Sequence, residues 1–289
     1  MAAGNGSRYG SLKQFDELGP ENEYLLEFSL YDAIKSGFNH IVMVTKENYV
    51  DELNTYLRKR LPEEVKLDVI AQRISDVPEG IEVNKDRKKP WGTAHAVWVT
   101  KDLINNSFAV INADDFYGRD AFKYASEFMD EHPEEEVMGV VPYKLDKTLS
   151  DYGTVSRGVC VFEGDELVKI HEYKELERKG SGVIDHETGD TFTGDERVSM
   201  NFWICKPKIF GEIEKQFVEY LKEGFGDKQE IYIPIVIQDL IKAGEIKVNA
   251  TPTVSSWFGV TYAQDKSNAV ETLRKLTEKK EYPSPLWKS

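Results

Sequence analysis

The chain has little cysteine, no long apolar run and a deficit of positive charge. Its two cysteines, Cys160 and Cys205, each sit inside an apolar strand-like run, so the sequence predicts buried free thiols of a reducing cytoplasm instead of a disulfide framework. No stretch approaches 18 uninterrupted apolar residues, which excludes a helical membrane span. The first residues lack a basic region followed by an apolar one, so no signal peptide is expected. With 37 Lys and Arg against 51 Asp and Glu, the net charge of −14 argues against nucleic acid, which demands a broad basic face. Metal-ligand clusters are scarce too, since no second His or Cys stands at ligand spacing from His95. No Ser–His–Asp or Cys–His signature occurs.

What remains is an ordinary globular composition, 40% hydrophobic and 30% charged over 289 residues, enough for a substantial core. Strand-like runs at 40–45, 65–71, 108–115 and 137–143 alternate with helical patterns at 47–60, 92–103 and 120–131. That alternation predicts βαβ units and a mixed, mostly parallel α/β sheet of Rossmann-like type. Thr93 is expected to cap its helix. Alternating strands follow at 153–162, 167–173 and 197–205, separated by a polar, glycine-rich insertion, residues 179–194, expected as a surface hairpin or mobile loop. Helices at 209–222, 233–243 and 264–280 complete the pattern, with short strands at 246–251 and 256–261. One continuous domain is the economical reading: a first half (1–145), a β-rich second half (146–262) and a C-terminal helix and tail (263–289). The tail "YPSPLW" is able to pack on its own chain or on a second copy.

Two stretches carry chemistry. In "AAGNGSRYGSLKQ", Gly4 and Gly6 allow a tight turn that gathers backbone N–H groups onto an anion. Arg8 adds a bidentate fork for phosphate oxygens, and Lys13 a mobile point charge. The third glycine of a dinucleotide loop is displaced to Gly10, and the Walker lysine pattern is absent. The second stretch, "INADDFYG", delivers Asp114 and Asp115 to a strand end. Neighbouring carboxylates on a strand face opposite sides, so one is free to hold Mg²⁺ while the other serves the structure.

The ordered set "AAGNGSR", "KPWGTAHAV", "INADDFYG", "YGTV", "HEYK", "MNFW" and "WFGVT" resembles the sugar-1-phosphate nucleotidylyltransferases along essentially the whole chain. The resemblance implies a GT-A-type fold with a smaller β-rich sugar-binding elaboration. It also implies Mg²⁺-dependent synthesis of a UDP- or dTDP-sugar and pyrophosphate from a nucleoside triphosphate and a sugar 1-phosphate. By resemblance, Ala3, Gly4, Gly6, Ser7 and Arg8 form the phosphate loop, with Lys13 trailing it. Gln72, Gly92 and Thr93 meet the nucleobase, Asp114 binds Mg²⁺, Gly153, Glu172 and Asn201 bind the sugar, and Lys174 is near the lysine that meets the sugar phosphate. Physically, the Gln72 amide both donates and accepts, as a pyrimidine edge requires. Trp91, Trp203 and Trp257 are expected to pack.

Three departures stand out. Arg8 and Lys13 are close together, Gly259 replaces the second metal-binding aspartate common in relatives, and Lys174 follows Glu172 by two residues instead of one. The phosphate loop also starts without the apolar strand that precedes it in relatives. The expectation is that residues upstream of Met1 supply it; the alternative leaves two strand edges unpaired. Rival readings are a cytidylyltransferase acting on an alcohol phosphate, a non-catalytic nucleotide-binding regulator and, much weaker, an NAD-dependent oxidoreductase. The last would want an acid about 20 residues beyond the loop.

Overall fold

The computed structural model describes residues 1–3, 16–84, 86–222, 229–251, 253–260 and 262–287. Gly4, Gly6, Ser7, Arg8 and Lys13 therefore lie outside the described residues.

β1 (His40–Thr45) pairs in parallel with β2 (Lys66–Ala71), in register from His40 opposite Lys66 to Thr45 opposite Ala71. Helices α1 (Leu25–Lys35) and α2 (Val50–Arg58) cover this pair. Leu26 and Leu30 on α1 and Leu53 and Leu57 on α2 are spaced by four, so each pair shares a helix face. They bury against Ile41, Met43 and Leu67.

The larger sheet is built around β10 (Arg197–Cys205). It runs antiparallel to β5 (Val137–Lys144) along one edge. Its other edge pairs first with β6 (Val155–Glu163) and then with β3 (Phe108–Val110). The sheet continues through β7 (Glu166–Lys179), β8 (Gly182–Asp185) and β9 (Thr191–Phe192), while β11 (Lys247–Ala250) lies parallel to β5. The fold is thus the expected mixed α/β arrangement, with a smaller parallel share than the helix–strand alternation implies. A strand from the second half, β10, inserts antiparallel between β3 and β5 of the first. Helices α4 (Arg119–Glu131), α5 (Lys208–Lys222) and α6 (Ile233–Lys242) flank the sheet. Trp91, Trp203 and Trp257 are buried as expected, and so are the free thiols Cys160 and Cys205.

Three local expectations change, and one open alternative is decided. The strand expected at 108–115 stops at Val110, because Tyr117 and Asp115 take over the hydrogen bonds of Asn112. Chain direction is recovered in β4 (Asp115–Phe116), which pairs antiparallel with β12 (Phe258–Gly259). Helix α3 spans only Thr93–Trp98; the Thr100 hydroxyl then donates to the Val97 carbonyl, a local bond that competes with helix continuation. Thr93 does not cap α3, whose N-cap is Gly92. Its Oγ1 accepts the Ile233 N–H at the start of α6 instead, at 3.1 Å. The insertion at 179–194 takes the hairpin option, as β8 and β9.

Helix α7 (Asp265–Glu278) is followed by a tail that packs on its own chain. Trp287 Nε1 donates to Glu27 Oε2 at 2.7 Å, and the Tyr282 hydroxyl bonds Asp32 on α1. Among the described residues, no helix is long and apolar enough to cross a membrane.

Candidate active site

The base-side residues meet at the end of β2. Gln72 follows the last residue of that strand, and its Nε2 lies 2.9 Å from the Gly92 carbonyl and 3.0 Å from His95 Nδ1. His95 is fully buried on α3, with Nε2 2.6 Å from the Asp76 carbonyl. A carbonyl only accepts, so His95 carries its proton on Nε2 and Nδ1 is the acceptor. Both Gln72 amide hydrogens are therefore spoken for, and Oε1 is the group it offers to a ligand. This corrects the donor-and-acceptor reading of Gln72. Burial pushes the His95 pKa down to about 4, which keeps the ring neutral at working pH. The histidine was legible as a helix residue. Its grip on Gln72 was not, because the Asp76 carbonyl comes from a separate loop.

Gly92 has φ +103°, and a Cβ there would lie 2.4 Å from the Ile231 carbonyl, so only glycine fits. The close approach is used: Ala94 N–H donates to Ile231 O at 3.0 Å and Ile231 N–H to Trp91 O at 2.7 Å. The segment before α6 is thereby strapped to the base side. Its next residue, Tyr232, donates to Glu230 Oε2 at 2.9 Å; burial and that bond raise its phenol pKa, and the charges of Glu230 and Glu172 add to the rise. Tyr232 thus follows directly on the segment strapped to the base side, a position the sequence gave no signal for.

On the sugar side, Glu172 (β7) stands opposite Gly158 (β6), which stands opposite Ser199 (β10). A Cβ on Gly158 would meet Glu172 Oε2 at 3.3 Å and Ser199 Cβ at 3.7 Å, so the carboxylate lies over a glycine gap between strands. Burial raises the Glu172 pKa above the ordinary value, while the nearby Arg157 and Lys174 charges oppose the rise. Asn201 sits where the register of β10 shifts between Ser199 and Trp203, with φ +59° and its N–H on Ser199 Oγ at 3.2 Å. Asparagine tolerates the left-handed region, and a bulge re-aims its side chain out of the ladder. Glu172 and Asn201 are thus brought together through Ser199. Lys174 is exposed and lies 3.4 Å from Glu187 of the β8–β9 hairpin. Gly153 precedes β6 and packs against Tyr262; no contact among the described residues joins it to Glu172 or Asn201.

Of the two neighbouring aspartates, Asp115 is the structural one. It is buried, with Oδ2 2.9 Å from Asn112 Nδ2 and 3.2 Å from the Tyr117 hydroxyl. That hydroxyl is also 2.8 Å from the Met200 carbonyl, beside Asn201, so the aspartate turn and the sugar-side bulge share one tyrosine. Asp114 is half-buried, close enough to the Met1 amino group for the two charges to interact. Gly259 lies opposite Asp115, and a Cβ there would be 2.4 Å from Asp115 Oδ1 and 2.7 Å from Trp257. The position where the resemblance implies a second metal-binding aspartate has no room for one here. No cluster of three or more His, Cys, Asp or Glu fit to hold a metal occurs among the described residues. A half-exposed carboxylate does fit Mg²⁺, which commonly takes one or two protein carboxylates and completes its shell with substrate phosphates and water.

Residues 1–260 match the family described as "Nucleotidyl transferase". No curated protein matches the chain closely. Among solved structures, the inositol-1-phosphate CTP transferase from T. maritima is similar with a TM-score of 0.63 at 17% identity, covering 96% of this chain and 94% of that one. A UDP-glucose pyrophosphorylase complexed with UDP-glucose gives 0.59 at 20% identity, covering 95% and 96%. The UDP-glucose pyrophosphorylase from Acinetobacter baumanii gives 0.60 at 17% identity, covering 96% and 92%. At such identities the likeness shows the fold, while the family match spans most of the sequence. The chain belongs to the nucleotidyl transferase family and is an enzyme of the nucleotidyltransferase type.

Proposed function

We propose that the protein transfers a uridylyl or thymidylyl group from its triphosphate to a sugar 1-phosphate, releasing pyrophosphate. The observation that carries the base choice is the Gln72 amide, whose two hydrogens are held by Gly92 O and His95 Nδ1. The remaining Oε1 accepts one hydrogen bond, as the N3–H of uracil or thymine supplies. Cytosine offers its exocyclic amine instead. The likeness to an inositol-1-phosphate CTP transferase therefore keeps a cytidylyl transfer to an alcohol phosphate as the second reading.

In the proposed reaction an oxygen of the sugar phosphate attacks the α-phosphorus, a new P–O bond forms, and the α–β bond breaks to release pyrophosphate. The attacking phosphate is already anionic at pH 7, so positioning and fixed positive charge do the work instead of a general base. Backbone N–H groups of Ala3, Gly4, Gly6 and Ser7 together with Arg8 grip the β- and γ-phosphates, and Lys13 faces the α-phosphate. Asp114 is the Mg²⁺ ligand, and the ion when bound supplies charge neutralisation for phosphate oxygens. Glu172 and Asn201 accept and donate to sugar hydroxyls, Lys174 faces the sugar phosphate, and Gly153 lines the same side. The buried thiols suit a reducing cytoplasm, and the acidic surface suits neither nucleic acid nor anionic membrane as a partner.

The test is Mg²⁺-dependent pyrophosphate release from UTP, dTTP and CTP crossed with hexose 1-phosphates and inositol 1-phosphate, with Asp114→Ala alongside. Release that requires one uracil or thymine triphosphate, one sugar phosphate and Asp114 is the expected result. Release only from CTP and an alcohol phosphate selects the second reading. Nucleotide binding with no release from any pair overturns both in favour of a regulator.

A further inference from the structure

A groove of about 510 Å³ lies on the face of the larger sheet that α4 covers, and none of the residues assigned to the reaction lines it. Its floor is β11, where Asn249 stands opposite Glu166 of β7 on one side and Gly139 of β5 on the other. A Cβ on Gly139 would lie 3.1 Å from Phe128 of α4, so that ring covers the β5 side of Asn249. Ala250 N–H donates to the Asp165 carbonyl at 2.7 Å, which fixes the β6–β7 turn beside β11. The groove therefore runs along β11 between that turn and α4.

Both banks are acidic. The turn contributes Glu163, Asp165 and Glu166, all exposed, and α4 contributes Glu127 and Glu131, spaced by four and so on one helix face. No lysine or arginine lines the groove. Glu127 has Lys123 at 3.8 Å, while the other four carboxylates have no ion pair among the described residues. Arg197 reaches only the backbone of the turn, at Gly164 O, and the buried Lys206 ammonium bonds Ser107 and the His132 carbonyl. The floor adds an independent feature. Thr251, 5% exposed, continues the alternation of β11 on the face of Asn249, and its Oγ1 has no hydrogen-bond partner. A buried hydroxyl without a partner is rare in a folded protein and costly. The carboxylates around it are acceptors, so what the groove lacks is a donor.

We propose that this groove binds a linear aliphatic polyamine. Among the described residues no three carboxylates are gathered closely enough to hold a metal ion, so the charge that matches them is itself distributed. Ammonium groups separated by methylene spacers meet that demand. The charges reach the two banks, and one N–H donates to Thr251 Oγ1. The methylenes cover the apolar surface of Tyr124 and Phe128, which line the groove between the banks.

The test is calorimetric titration of the whole protein with spermidine at low salt in millimolar Mg²⁺, with butylamine and a lysine-rich peptide as comparison ligands. One spermidine is expected per chain, bound about 10-fold or more tighter than butylamine. Glu163→Gln/Glu166→Gln and Glu127→Gln/Glu131→Gln should each weaken it about 10-fold. Glu63→Gln/Glu64→Gln removes the same charge from an exposed turn elsewhere and should change it less than about 2-fold. Thr251→Val should weaken spermidine about 10-fold without lowering the melting temperature of the free protein, because the hydroxyl has no bond to lose there. Equal weakening by all three charge pairs means diffuse attraction to an acidic protein and overturns the proposal. So do the absence of saturable binding, displacement of spermidine by Mg²⁺, tighter binding of the peptide, or undiminished affinity in Thr251→Val.

Discussion

Gln72 Nε2 lies 3.0 Å from His95 Nδ1, and the direction of that bond decides which end of the glutamine amide faces a ligand. The Asp76 carbonyl fixes the proton on His95 Nε2, His95 fixes the amide hydrogens, and the amide oxygen is left as the reader. His95→Leu frees the amide to rotate. We expect KM for the triphosphate to rise about 10-fold with kcat nearly unchanged, since one uniform binding contact is worth about 1.4 kcal/mol. Discrimination against an N3-methylated base falls in parallel. If that discrimination survives while stability drops, His95 is only a packing residue.

Asp114 and Asp115 separate by kind of damage. Asp114→Asn should leave the melting temperature unchanged and cut turnover by about 10²-fold or more. Asp115→Asn weakens the hold on Asn112 and Tyr117, so a stability loss of about 1–3 kcal/mol is expected. Thermal unfolding and pyrophosphate release, measured on both variants, check the division. Equal effects on both readouts would refute it.

Gly259→Asp tests the crowded position opposite Asp115. A Cβ there already overlaps Asp115 Oδ1 and Trp257, so the new carboxylate adds no metal ligand. It pushes β12 off β4, and a loss on the order of 3 kcal/mol follows from overpacking and like charge. Tighter Mg²⁺ binding in a variant of undiminished stability would contradict this.

Asp32 supplies a pH signature. Burial pushes its pKa up to about 6, above the unfolded value of 3.8, despite the bond from Tyr282 and the nearby Arg119. The native state binds more protons across that window, so this contribution to stability is complete below pH 4 and lost as the pH rises through 6. Asp32→Asn should remove that slope. The shift corresponds to about 3 kcal/mol at most, readable from denaturant midpoints between pH 4 and 7.

Much of the molecule was legible because it rests on local pattern. Alternation and helical spacing placed β1, β2, β5, β6, β7 and β10. The turn after β3 was misread, because Tyr117 and Asp115 capture Asn112 only once the chain has folded back. Gln72, Gly92, Glu172 and Asn201 were candidates by motif, whereas Tyr232, Ser199 and Tyr117 carried no signal. Their roles come from neighbours on strands and loops far away in sequence.

By itself, then, the sequence determined the element types, the family and the acidic and glycine-rich motifs, all of which depend on residues within a few positions of each other. Tertiary structure decided the rest. The insertion of β10 between β3 and β5, the orientation of the Gln72 amide and the closed space at Gly259 all depend on pairings across tens to hundreds of residues. Side-chain periodicity reports which face is buried; it does not report which distant backbone meets it.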